Sequence, residues 1–322
     1  MYKKFIFISL AIILCFVSGC TNKNSVNKEI VEDNKLNIIT TNFPPYDFVR
    51  QIGQDKVNVK MLLKPGEESH SYEPTPKDIK DIQNSDLFIY IGGENESWVN
   101  DILNSMGDNK PDTLKLLETV PTVEEEIVEG MEHTHEQEEH DHTEDKHTID
   151  EHIWTSPKNA IIIVEEITKI LNSKNSENTN FYDENANNYI KELNNLDLKF
   201  KEVVENGKRN TILFGDRFPF RYFADEYGLN YYAAFSGCST ETEASPKTVG
   251  FLIDKVKEEN LPIVFTIEFS NGKIANSISE ATGAKKVLLN SGHNITKEQF
   301  ESGVTYLSLM KENVEILKEA LN

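Results

Sequence analysis

Cysteine is nearly missing from this chain of 322 residues: Cys15 and Cys20 fall in the first twenty positions, and Cys238 stands alone after them. That excludes a disulfide framework. Positive charge is scarce too, with 33 Lys and Arg against 54 Asp and Glu and a formal net charge of −21. So acidic a surface excludes nucleic acid as a partner, because phosphate binding rests on a surplus of cations. Long apolar runs are absent apart from Phe5 to Phe16, which is too short to cross a bilayer comfortably. Histidine is rare outside one place, since six of the eight lie between residues 132 and 154, in EHTHEQEEHDHTEDKHTIDEHIW. No HExxH is present, so a paired-ligand helix of the zinc-hydrolase kind is missing.

What is there begins with MYKKFIFISLAIILCFVSGC. Lys3 and Lys4, the short apolar run and the small residues Val17-Ser18-Gly19 predict an export signal over residues 1–19. Val17-Ser18-Gly19-Cys20 resembles a bacterial lipobox, which would start the mature chain at a lipid-carrying Cys20. Residues 20–35 are polar and suit a flexible tether. The acyl chains would hold the membrane, at about 0.8 kcal/mol per buried methylene.

From residue 36 the pattern changes. LNIIT and VNVKMLL are short runs rich in Ile and Val, with Phe48, Val49 and Ile52 at helical spacing between them, which predicts a βαβ opening. PTPKDIKDIQNSD reads as a helix, LFIYIGG as a buried strand and SWVNDILNSM as an amphipathic helix. The second half repeats the alternation: TILFGD, LNYYAAF, PIVFTIEF and KKVLLN as strands, with FPFRYFADEYG, SPKTVGFLIDKVKEEN and NGKIANSISEATG as helices between them. FESGVTYLSLMKENVEILKEALN closes the chain as a long helix. The grammar predicts an α/β protein of two lobes, each a mostly parallel sheet flanked by helices and each with its own core.

The lobes are predicted over residues 36–180 and 207–322. Tyr182, Ala186, Tyr189, Leu193, Leu196, Phe200 and Val203 recur at steps of three or four and predict one helix over 181–206. At about 24 residues it is roughly 36 Å long. It either joins the lobes or lies on the surface of one of them. Residues 121–151 are poor in large apolar side chains after Val128 and predict a mobile loop rich in His and acid. Trp98 and Trp154 are expected to pack at lobe edges.

Within that loop His133, His135, His140, His142 and His147 alternate irregularly with carboxylates. Neutral imidazole suits zinc, and the acids raise the local cation concentration, so the tract reads as an accessory metal collector. A solvated acidic linker is the bland alternative. Outside it, His70 sits in KPGEESHSYEPTPKDI, His152 in DEHIWTSPKNA and His293 in LLNSGHNIT. Each lies at the edge of a predicted strand or helix, where α/β sheets place ligand sites. Cys238 is either a soft ligand or a small buried thiol.

GEESHSYEPTPKDI and DEHIWTSPKNA, in that order and with the acidic His tract just before the second, resemble the ligand motifs of zinc- and manganese-binding lipoproteins that serve bacterial ABC importers (cluster A-I, zinc-uptake branch). The resemblance covers nearly all of the predicted mature chain. It implies two α/β lobes joined by one long rigid helix, and a monomeric receptor anchored by lipid on the outer face of the cell membrane. It also implies a permease and its ATPase as partners, and Zn²⁺ as cargo with Mn²⁺ as a possibility.

Carried over by position, His70 and His152 match the first and second ligands. The third, ordinarily His or Glu after the first strand of the second lobe, falls on Asp216 if one residue is inserted after it. Arg217 cannot bind a cation, and Asp216 has Arg217 and Arg221 as competing partners. His293 takes the place of the fourth, ordinarily a carboxylate. Glu67, Glu68, Glu241, Glu243 and Glu268 are substitutes or groups that orient the imidazoles. Three nitrogens and one oxygen suit tetrahedral zinc, whereas manganese prefers more oxygen. Binding to neutral imidazole should weaken below about pH 6.5. A secreted zinc hydrolase and a surface adhesin with a structural metal are the rival readings.

Overall fold

A computed structural model of the protein describes residues 35–68, 72–131, 148–241 and 243–322. The predicted leader, Cys20, the tether, His70 and the five histidines from His133 to His147 lie outside the described residues. The first lobe contains β1 (Leu36–Thr40), α1 (Phe43–Gly53), β2 (Val57–Met61), α2 (Pro76–Gln83), β3 (Leu87–Tyr90), α3 (Ser97–Met106) and β4 (Asp112–Lys115). Two helices follow, α4 (Pro157–Lys174) and α5 (Thr179–Glu205). The second lobe contains β5 (Thr211–Phe218), α6 (Arg221–Tyr227), β6 (Asn230–Ser236), α7 (Pro246–Glu258), β7 (Ile263–Thr266), α8 (Lys273–Thr282) and β8 (Lys285–Leu288), with α9 (Lys297–Ser302) and α10 (Tyr306–Leu321) at the end.

Both sheets have four parallel strands, in the orders β2-β1-β3-β4 and β6-β5-β7-β8. Every residue of β3 and of β5 is buried, as parallel strands covered on both faces require. The strand order reverses between β1 and β3 and again between β5 and β7. Crevices outside the C-terminal strand ends at such points are where open α/β sheets take ligands. The two lobes therefore repeat one topology and offer two crevices.

Local chemistry starts the helices that frame those crevices. Thr75, Ser156, Ser245, Thr296 and Thr305 each accept a backbone N–H of the following first turn, and Pro76, Pro157 and Pro246 preset the backbone of α2, α4 and α7. β5 runs further than TILFGD suggests, to Phe218, and shortens α6 to seven residues. One extra residue is accommodated on the way: Phe214 pairs with Ala233 and Arg217 with Phe235, a bulge at Gly215-Asp216. Gly215 is required there, because a Cβ would come within 2.5 Å of Ala275 Cα.

α5 has 27 residues and begins two positions before the predicted span. Tyr182, Ala186, Tyr189, Leu193, Leu196 and Phe200 form its buried face, while Val203 is only half-buried. That face packs on α4, on α1 of the first lobe and on α10 of the second. The expectation of a separate core in each lobe is corrected: one cluster runs from Ile38 and Phe48 through Tyr189 and Leu193 to Phe214, Phe265 and Leu317, with two smaller clusters on outer faces. Residues 35–322 accordingly form one compact unit. Buried Asp47 strengthens the seam, accepting from Arg50 and Gln51 on α1 and from the Tyr306 backbone N–H at the start of α10.

The predicted mobile loop is also corrected at both ends. Glu124 bridges Ile149 in antiparallel fashion, Glu125 N–H donates to Thr148, and Met131 is buried. Polar groups hold this base on the second lobe: Tyr222 donates to the Asp150 carbonyl, and Cys238 N–H donates to Glu125.

Candidate metal site

His152 stands one turn before α4 and is 1% exposed. Asp150 Oδ1 accepts the His152 backbone N–H at 2.8 Å and lies 3.1 Å from its Nδ1. A carboxylate only accepts, so it places the ring proton on Nδ1 and makes Nε2 the acceptor nitrogen of the ring. Burial opposes a charge on this ring, but Asp150, Glu151 and Glu125 outweigh it and raise the pKa above the ordinary 6.5. Protons therefore compete for His152 at a higher pH than for a free imidazole. Gly237 makes room beside it, because a Cβ there would lie 3.0 Å from Asp150 Oδ2 and 3.2 Å from His152 Cε1.

The chain after β8 brings His293 to the same place. The two imidazole centroids are 5.3 Å apart and nearly perpendicular at 88°. Trp154 lies edge-on to both, at 5.5 Å from His152 and 4.9 Å from His293. It is not at a lobe edge but at the centre, 1% exposed. Its Nε1 donates to the Ser291 carbonyl, and its own carbonyl accepts from Tyr306 Oη. Trp98, by contrast, is half-buried and packs on Tyr72.

Glu268, just past β7, lies beneath the 291–293 turn. Its carboxylate accepts from Ser291 N and Oγ and from His293 N at 2.5 to 3.1 Å. Burial pushes this carboxyl up against the pull of those donors. A cavity of about 20 Å³ is lined by His152, His293, Glu268, Glu67, Glu68 and Arg217, among others. That is room for about one ion or water.

The segment leading to His70 is stitched to this turn. Asn294 Nδ2 donates to the carbonyls of Lys64 and Glu67, and Gly66 N–H donates to the Ile295 carbonyl. Among the described residues no group of three or more His, Cys, Asp or Glu is arranged to hold a metal ion. The described part of the site supplies two imidazoles and three carboxylates to a common cavity, with Arg217 in its wall.

Asp216 is not brought to that cavity. Its Oδ1 accepts the Arg217 backbone N–H and its Oδ2 the Thr266 hydroxyl, and it lines a separate, larger cavity. The bulge explains this, since one extra residue reverses which side chains face the cleft and sends Arg217 there instead. Arg217 pairs with Glu68, and Glu241 lines the larger cavity. Glu67 pairs with Lys64, and Glu243 is exposed. Burial, with Asp150, Glu151 and Glu125 nearby, pushes the Cys238 thiol well up. Asp150 and Tyr222 escaped the sequence reading, although Asp two places before His in DEHIW was a signal for an imidazole-orienting acid.

On the first-lobe side a second cavity, of about 30 Å³, is lined by Glu96, Glu151, Trp154 and His293, among others. Burial pushes Glu96 from the ordinary 4.5 up to about 7, and neighbouring Glu151 adds to it against the Gly92 N–H. The folded state thus holds this proton more tightly than the unfolded chain. Its contribution to stability is full below about pH 4.5 and is lost as pH rises through about 7. Glu96→Gln should remove that loss and gain about 2 kcal/mol at about pH 8, with little change at about pH 5. Urea unfolding at both pH values reads the difference, and equal gains at both would contradict it.

Comparison with known proteins places the chain in a family. The family model for zinc-uptake complex component A, periplasmic, matches residues 38–320. The high-affinity zinc uptake system protein of Bacillus subtilis (strain 168) is 32% identical over 323 residues, covering 100% of this chain and 99% of its own. The zinc-binding lipoprotein AdcA of Streptococcus pneumoniae (strain ATCC BAA-255 / R6) is 31% identical over 320 residues, and the match spans 98% of this chain but 61% of that protein. The crystal structure of the Zn(II)-bound ZnuA-like domain of Streptococcus pneumoniae AdcA superposes with a TM-score of 0.73 at 30% identity, covering 89% of this chain and 99% of that one. With a family match over nearly the whole described chain, the protein belongs to the family of periplasmic zinc-uptake components A.

Proposed function

We propose that this protein is the extracytoplasmic receptor of an ABC importer, holding one Zn²⁺ between His70, His152, His293 and Glu268 and releasing it to a membrane permease driven by its ATPase. The observation that carries the reading is the pair of perpendicular imidazoles, 141 positions apart in sequence, whose centroids lie 5.3 Å apart and which line one cavity the size of one ion. Glu268 replaces Asp216 as the oxygen ligand, because it lines the cavity with both imidazoles whereas Asp216 lines the larger one; binding would exchange one of its hydrogen bonds from the 291–293 turn for the ion. Three nitrogens and one oxygen favour zinc over manganese. The metal is cargo, and no catalysis is assigned to it.

The leader over residues 1–19 and a lipidated Cys20 would tether a monomer to the outer face of the cell membrane. No helix of the described residues is long and apolar enough to cross a membrane. His133, His135, His140, His142 and His147 would be accessory collectors of zinc. Because residues 123–131 and 148–151 are anchored on the second lobe, the segment to remove in a test is 132–147 alone. Titration calorimetry with Zn²⁺ and Mn²⁺ should find one tight zinc site in both the full chain and the deletion, and weaker sites only in the full chain. Loss of the tight site with the segment would show that cleft and tract have the opposite roles.

A further inference from the structure

We propose that the Glu68–Arg217 ion pair is the gate on the path by which zinc enters and leaves the histidine cavity, and that the larger cavity on its other side is the vestibule. The inference rests on the zinc-receptor reading. Arg217, at the end of β5, reaches across to Glu68 of the first lobe with both guanidinium ends, at 3.1 and 3.3 Å. Both residues line the cavity of about 20 Å³ that holds His152 and His293, and both also line a cavity of about 440 Å³ beyond it. The ion pair is therefore part of the partition between the two spaces.

The partition has one fixed side and one movable side. Arg217 is 9% exposed and is anchored a second time by the Ser239 carbonyl, whereas Glu68 is 36% exposed. Rotating Glu68 opens the wall without separating lobes that share one core. A cation arriving in the vestibule meets Glu241 and then Glu68, whose carboxylate can exchange the guanidinium for the ion. Arg217, left with an uncompensated charge beside the ion, favours closure behind it. In the closed state the pair neutralises the guanidinium, so a bound ion does not face a bare positive charge.

A gate changes rates in both directions, whereas a ligand-positioning contact changes affinity. Zinc capture and zinc release to a fluorescent chelator are followed by stopped flow for the protein, Glu68→Gln, Arg217→Met and the charge exchange Glu68→Arg with Arg217→Glu. Glu68→Gln should raise both rate constants, capture by about threefold and release by about tenfold or more because Arg217 then faces the ion uncompensated, and the exchange should restore slow kinetics. Since Glu68 is partly exposed, Glu68→Gln reads the gate even where a change at buried Arg217 impairs folding, and far-ultraviolet circular dichroism identifies such a variant. Unchanged rates, or weaker affinity with capture unchanged, would overturn the gate. Absence of zinc binding by the unaltered protein would instead overturn the receptor reading beneath it.

Discussion

His293→Ala lowers zinc affinity by about a hundredfold or more, and His152→Ala by more than that. Zinc held by four protein ligands is worth about 10 to 16 kcal/mol at neutral pH, so one ligand carries about 3 kcal/mol, two orders of magnitude in the dissociation constant. His293 is the milder loss, because its backbone N–H and carbonyl still hold Glu268 and Phe43 and the turn keeps its place. His152 is the harsher one, since its removal strands the Asp150 carboxylate, 1% exposed, without the imidazole that faces it. Manganese binding should fall less in both variants, because nitrogen ligands contribute less to it. Competition against a chelator of known affinity reads all four numbers. Unchanged zinc affinity in His293→Ala would remove that residue from the site.

Trp154→Ala is the most damaging single change to the scaffold. Emptying a fully buried indole costs about 3 to 5 kcal/mol, or a melting temperature lower by about 6 to 10 °C for a domain of this size. The loss has a second part. The indole N–H bond to Ser291 and the edge contacts to both imidazoles disappear together, so the 291–293 turn loses its outer support. Zinc affinity should therefore fall along with stability. Trp154→Phe separates the two, keeping most of the packing and dropping the N–H bond, at about 1 kcal/mol. Thermal melts with and without zinc measure both. A Trp154→Ala protein with unaltered zinc affinity would show that the indole supports the core alone.

The strands and helices were legible because each carries its own local signal. Buried parallel strands read as short apolar runs, Ser-Pro and Thr-Pro mark helix starts, and α5 declares its buried face by spacing alone. How the lobes join was not legible. Local patterning says which face of an element is apolar but not what covers it, and so Phe48 and Phe214 read as members of separate cores, although one cluster holds both together with Tyr189 of the long helix. For the same reason sequence alone puts Trp154 at an edge, although it packs against two imidazoles contributed from sequence positions far apart.

Within the site, His152 and His293 stood out because histidine is otherwise rare, and the structure sets them together. The oxygen ligand was the weak point. Asp216 sits where position alone would put a ligand, but the bulge at Gly215-Asp216 reverses the facing of the strand end. A bulge depends on how two strands pair, and TILFGDRF gives no sign of it. Glu268 was one of five acids with no reason to be preferred until the fold put it under His293.

The central claim is that His70, His152, His293 and Glu268 converge on one zinc ion. Diffraction from zinc-loaded crystals, recorded on either side of the zinc absorption edge, tests it directly. One anomalous peak about 2.0 to 2.2 Å from a nitrogen of each of the three imidazoles and from a Glu268 oxygen is the result this account requires. A cleft without a peak, or a peak bound only by residues between 132 and 147, would contradict it.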